Sequence, residues 1–80
     1  MTDFVASFHT HVSALMTDRA LKQAGITSRM APVPRKLSSS CGTCVRYLAQ
    51  EPNLEAMDED VEAVYEKIGK EEYTLLMSAD

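Results

Sequence analysis

The chain lacks any apolar run near the roughly 20 residues that a bilayer-spanning helix requires. Its opening residues, Met1-Thr2-Asp3-Phe4, offer neither the basic start nor the apolar stretch of a secretory signal. A cytoplasmic protein without a membrane partner is therefore expected. Base is scarce as well. Eight Lys and Arg stand against 12 Asp and Glu, for a net charge of −4, whereas a nucleic-acid binder needs a basic stripe to replace phosphate counterions. The few bases that cluster, Arg29, Arg35, Lys36 and Arg46, surround the cysteines in the sequence rather than line a groove. Length is the last shortage. Eighty residues form one small domain, 1–80, and such a chain buries only about 60–65 % of the surface its unfolded form exposes. That leaves little room for an enclosed active site, so a surface-borne reactive group or a protein interface is expected rather than an enzyme, and homodimerisation would add stability.

What is present reads as alternating elements. Phe4 to Phe8 is short and rich in aromatic and β-branched residues, as in a strand. Thr10 can cap a following helix in which Val12, Leu15, Met16, Ala20 and Ala24 recur on one side, and Gly25 stands where a left-handed C-cap belongs. Ile26 to Val33 reads as a second strand closed by Pro32 and Pro34, and Cys44 to Ala49 as a third. Beyond Pro52, the residues Leu54, Met57, Val61, Val64, Tyr65 and Ile68 fall within an arc of about 100° on a helical wheel, with acids such as Asp58, Glu59 and Asp60 on the solvated side and Gly69 as terminator. Tyr73 to Met77 would close the sheet. The order β-α-β-β-α-β predicts an α+β, ferredoxin-like sandwich: an antiparallel sheet with two helices on one face and the third strand between the first and second.

This topology gathers at one sheet edge the chemistry-bearing residues His9 and His11, the turn Pro34-Arg35-Lys36, and Cys41 of the Cys41-Gly42-Thr43-Cys44 motif. A thiolate is the reactive form of cysteine, and nearby cations favour it. Arg35, Lys36, His9 and His11 are the candidates for that role, with Gly42 permitting a tight backbone next to the thiol and the 38–42 turn offering amides to an anion. An inert reading stands beside this one, with Cys41 a turn residue and Cys44 a buried strand residue. A third reading is a thiol-disulfide switch through Cys41 and Cys44, and a fourth an adaptor domain in which both cysteines are incidental. In a chain without an export signal the two cysteines are expected to be reduced thiols. Two cysteines three residues apart in one strand lie about 10 Å apart, beyond the roughly 4.4–6.8 Å Cα spacing of a disulfide, so a bridge requires Cys41 to remain in the turn. His9-x-His11 with Cys41 and Cys44 matches no standard zinc module, and neither metal nor cofactor is expected. Ser38-Ser39-Ser40 has no base and acid arranged for a triad and reads as a hydrogen-bonding loop.

The segment from Ala20-Leu21-Lys22 to Gly25-Ile26, the run Pro32-Val33-Pro34-Arg35-Lys36-Leu37-Ser38-Ser39-Ser40-Cys41-Gly42 and the stretch near Val61–Ile68 resemble the small bacterial proteins described as selenium/sulfur carrier-like. The resemblance implies that Cys41, the cysteine before glycine, bears a persulfide or selenide, that Cys44 is a strand side chain, and that donor and acceptor proteins are the partners.

Overall fold

A computed structural model describes residues 1–79. The element order is β1 (Thr2–Phe8), α1 (His11–Gln23), β2 (Thr27–Pro32), β3 (Thr43–Ala49), a single 3-10 turn (Leu54–Ala56), β4 (Val61–Gly69) and β5 (Glu72–Ser78). The five strands form one antiparallel sheet in the order β2-β3-β1-β4-β5. β3 thus lies between β1 and β2, as expected, but the ferredoxin-like sandwich is overturned. Among the described residues there is a single α-helix, and the architecture is a mostly-sheet α+β fold.

The second helix fails for a physical reason. Val61, Val64, Tyr65 and Ile68 are β-branched or aromatic and suit a pleated surface better than a helix. Their spacing imitates a helical stripe because β4 is bulged. Phe8 pairs with Val61 and Ala6 with Val64, so one extra residue interrupts the two-residue alternation and both valines face the same side. A second irregularity follows at Val64/Tyr65. Leu54 and Ile68, the two ends of the supposed stripe, are exposed. Gly69 ends β4 rather than a helix, and the hairpin turns through Lys70 and Glu71, the latter at φ 64°.

α1 is capped as its sequence implies. Thr10 Oγ1 accepts the Ser13 amide at 3.2 Å, and at the other end Gly25, at φ 81°, lets the amides of Gly25 and Ile26 reach the carbonyls of Lys22 and Leu21. Its buried face is different from the expected one. Ser13, Ala14, Thr17, Asp18 and Leu21 turn inward, while Val12 and Met16 are exposed. The inward polar groups are all partnered: Asp18 accepts from Lys22 Nζ at 2.8 Å and Ser28 Oγ at 2.7 Å, and Thr17 Oγ1 accepts the Asp58 amide at 2.9 Å. Ala14 and Leu21 join Phe4, Ala6, Phe8, Val45, Tyr47, Ala49, Val61 and Val64 in one core. The rings of Phe4 and Tyr47, cross-strand partners, stack with centroids 5.2 Å apart. Among the described residues no helix is long and apolar enough to cross a membrane.

Candidate functional site

The 33–42 segment leaves β2 at Pro32 and returns at β3. The Val33 amide donates to the Gly42 carbonyl at 3.1 Å, extending the ladder by one step, and the Leu37 amide closes a turn on the Pro34 carbonyl at 3.0 Å. Gly42 lies at φ 75°, a backbone shape that side chains disfavour. Cys41 is thereby held in the loop just before the strand, half-buried, and Cys44 lies one strand position inside, with no exposure at all. Both are free thiols.

An anchor that sequence reading missed fixes this loop. Glu62, the extra residue of the β4 bulge, receives the Ser40 amide at 3.0 Å and the Ser40 hydroxyl at 3.0 Å. Ser39 Oγ stands 3.0 Å from the same carboxylate and 2.8 Å from the Phe8 carbonyl, sharing its one proton between them. His9 Nδ1 lies 3.4 Å from Glu62 Oε2 and 3.4 Å from Ser40 Oγ. Partial burial opposes the charge on Glu62, but the Ser40 amide and hydroxyl, the Ser39 hydroxyl and His9 outweigh it and hold the carboxyl below its ordinary value. The anion collected by the 38–42 turn is therefore the protein's own side chain. A helix over this segment would leave its acids on the solvated side, which is why the sequence pattern gives no sign of Glu62. As a strand, an acid wedged between Val61 and Ala63 would have been conspicuous.

Cys41 Sγ donates toward the Thr43 carbonyl at 3.4 Å and lies 3.8 Å from Ser39 Oγ. Through Ser39 it is one hydrogen bond away from Glu62. The expected helpers are distributed unevenly. His9 belongs to the Glu62 cluster, His11 Nδ1 reaches Thr43 Oγ1 at 3.5 Å, and neither ring bonds Cys41. The Arg35 and Lys36 side chains are exposed and form no ion pair or hydrogen bond among the described residues. Cys44 points to the sheet face away from α1, opposite Ser7 and Ala31, with its thiol toward the Pro32 carbonyl at 3.7 Å. Burial pushes its pKa up to about 11, against the weaker opposing pull of Arg46 and Arg29. Among the described residues, no three His, Cys, Asp or Glu side chains gather as a metal site. The arrangement holds one cysteine partly exposed in a pinned loop, its sulfur beside a hydroxyl, and one cysteine fully buried in the sheet.

The family model described as "Putative Se/S carrier protein-like" matches residues 3–72. The uncharacterized protein YtiA of Escherichia coli (strain K12) is 40% identical over 45 residues, which cover 56% of this chain and 53% of that protein. The chain thus spans about half the length of the curated relative it matches. No solved structure matches it.

Proposed function

The chain belongs to the Se/S carrier protein-like family, and we propose on that footing that Cys41 is the atom that carries the sulfur. The Cys41 thiolate attacks the terminal sulfur of a donor persulfide. The donor S–S bond breaks, a new bond forms to Sγ, and the donor thiolate leaves with the electron pair and takes up the proton that Cys41 gave away. Sulfur changes hands and nothing is oxidised overall. A thiolate of an acceptor protein then repeats the displacement on the loaded Cys41. A terminal selenium atom on a donor sulfur transfers by the same displacement.

The observation that carries this reading is the asymmetry of the two cysteines: Cys41 is partly exposed in a loop fastened to Glu62, while Cys44 is fully buried with its acidity suppressed. A carrier needs one reachable nucleophile and no second one to expel the cargo as a disulfide. A switch through both cysteines needs Cys44 within reach, and its burial weighs against that. The test is to incubate the reduced protein with glutathione persulfide and follow each cysteine-bearing peptide by mass spectrometry. The mass of one added sulfur on the Cys41 peptide is expected, lost in Cys41→Ser and retained in Cys44→Ala. An unchanged mass in the unaltered protein, or an adduct confined to Cys44, overturns the proposal.

A further inference from the structure

The bases that sequence reading grouped around the cysteines divide in the structure. Arg29 on β2 and Arg46 on β3 are direct cross-strand partners on the sheet face that α1 leaves uncovered. Like charges directly opposite each other in a sheet destabilise it. Arg46 has Asp3 Oδ2 as an acidic partner at 3.2 Å, whereas the Arg29 side chain is exposed and has no hydrogen bond or ion pair among the described residues. Lys67 is the partner of Asp3 on the next strand. Three bases and one acid therefore occupy this part of the face, in a chain whose net charge is −4.

The register continues the Arg29–Arg46 row through fully buried Val5 and half-buried Tyr65 to Leu75, across all five strands. Leu75 is 54% exposed and Leu48, in the neighbouring row, 42%. Between Asp3, Thr27, Arg29, Arg46 and Leu48 lies a groove of about 240 Å³. Small-molecule pockets run to about 300–1,000 Å³. This groove is smaller and has room for a side chain or two of a larger body that rests on the rest of the face.

We propose that this sheet face docks an acidic segment of a partner protein, with a partner carboxylate placed between Arg29 and Arg46 and apolar partner residues on Leu48 and Leu75. A carboxylate accepts the forked hydrogen bonds of guanidinium groups and relieves the repulsion that the free protein retains. The inference goes beyond the thiol reading and is tested without it, because the readout involves no cysteine.

The experiment is an NMR titration of the isotope-labelled protein with the acetylated, amidated peptide Glu-Leu-Glu, its counterpart Gln-Leu-Gln, and inorganic phosphate. The acidic peptide is expected to shift the resonances of Thr27–Arg29 and Arg46–Leu48 in a saturable way, and the glutamine peptide to bind about tenfold more weakly or not at all. Arg29→Gln removes the binding yet raises the unfolding midpoint, an outcome that a merely structural arginine would not give. Equal binding of both peptides, shifts located elsewhere, or no saturable shift overturns the proposal. Tighter binding of phosphate at the same residues overturns it in favour of a small anion, and self-association of the free protein that Arg29→Gln abolishes overturns it in favour of a second copy.

Discussion

Alkylation kinetics at Cys44 put the division of labour between the two sulfurs under direct strain. Its side chain has no exposure, and its pKa stands at about 11. At about pH 8 a thiol with that pKa is ionised to roughly one part in a thousand, against about a quarter for an ordinary thiol of pKa near 8.5, so ionisation alone slows its reaction by some two hundredfold or more. Burial adds the cost of local opening to admit the reagent. Iodoacetamide labelling resolved by peptide mass spectrometry, from about pH 7 to pH 10, measures both effects. Cys44 should react at least two orders of magnitude more slowly than a reference thiol, with a rate still climbing about tenfold per pH unit at the top of the range, while half-exposed Cys41 is consumed first. A Cys44 rate within tenfold of the reference, or a plateau below about pH 9, refutes the reasoning and restores the two-cysteine switch.

The same burial has a thermodynamic counterpart. The folded pKa of Cys44 is raised, so its contribution to stability is complete below the ordinary thiol value and is lost as pH rises through about 11; about two pH units correspond to ~3 kcal/mol, and Cys44→Ala should flatten that decline in urea melts. Glu62→Gln leaves the Ser39 and Ser40 donors with a weaker acceptor and should cost ~1–2 kcal/mol at neutral pH. Because the folded pKa of Glu62 lies below its ordinary value of 4.5, the carboxylate's advantage is present above that value and lost as pH falls through the folded one, so the stability gap to the glutamine variant should close there. Gly42→Ala meets no atom within 4 Å of the new methyl, so its cost is that of the positive φ alone, about 1 kcal/mol, with circular dichroism expected to show an intact fold. Arg29→Glu replaces a repelling cross-strand pair by an attracting one and should stabilise the protein by ~0.2–1 kcal/mol in thermal melts.

The parts of the fold that local chemistry governs were legible in the sequence. Thr10 and Gly25 bracket α1 as a cap and a left-handed terminator do generally, the strands through Phe4 and Val45 follow from β-branched and aromatic residues, and the one through Met30 is marked at its end by the prolines. The inward face of α1 was not legible, because Thr17 and Asp18 look like surface residues until Asp58, Lys22 and Ser28 are placed beside them. The second helix was misread because a bulge makes strand residues three apart face one side, and a wheel cannot distinguish this from a turn of helix. That single error also hid Glu62, since an acid on a supposed solvated helix face has no claim on a loop 22 residues away. The expected gathering of the Cys41 loop with His9 and His11 rested on the β2-β3-β1 order; the sheet retains that order, but His9 meets Ser40 and Glu62 and His11 meets Thr43 rather than the sulfur. Arg35 and Lys36 were expected at the same edge from the same strand order, but their side chains are exposed and, among the described residues, neither is hydrogen-bonded or ion-paired to the sulfur.

The carrier claim is tested most directly by a chase with isotopically heavy sulfur. The protein is loaded from a heavy-labelled persulfide, freed of donor, and mixed with an acceptor thiol. The account predicts that the heavy atom leaves the Cys41 peptide, appears as persulfide on the acceptor, and returns the protein to its unloaded mass with both cysteines reduced, in the Cys44→Ala variant as in the unaltered chain. Release of the sulfur with formation of a Cys41–Cys44 disulfide, or a label that never passes through Cys41, would contradict it.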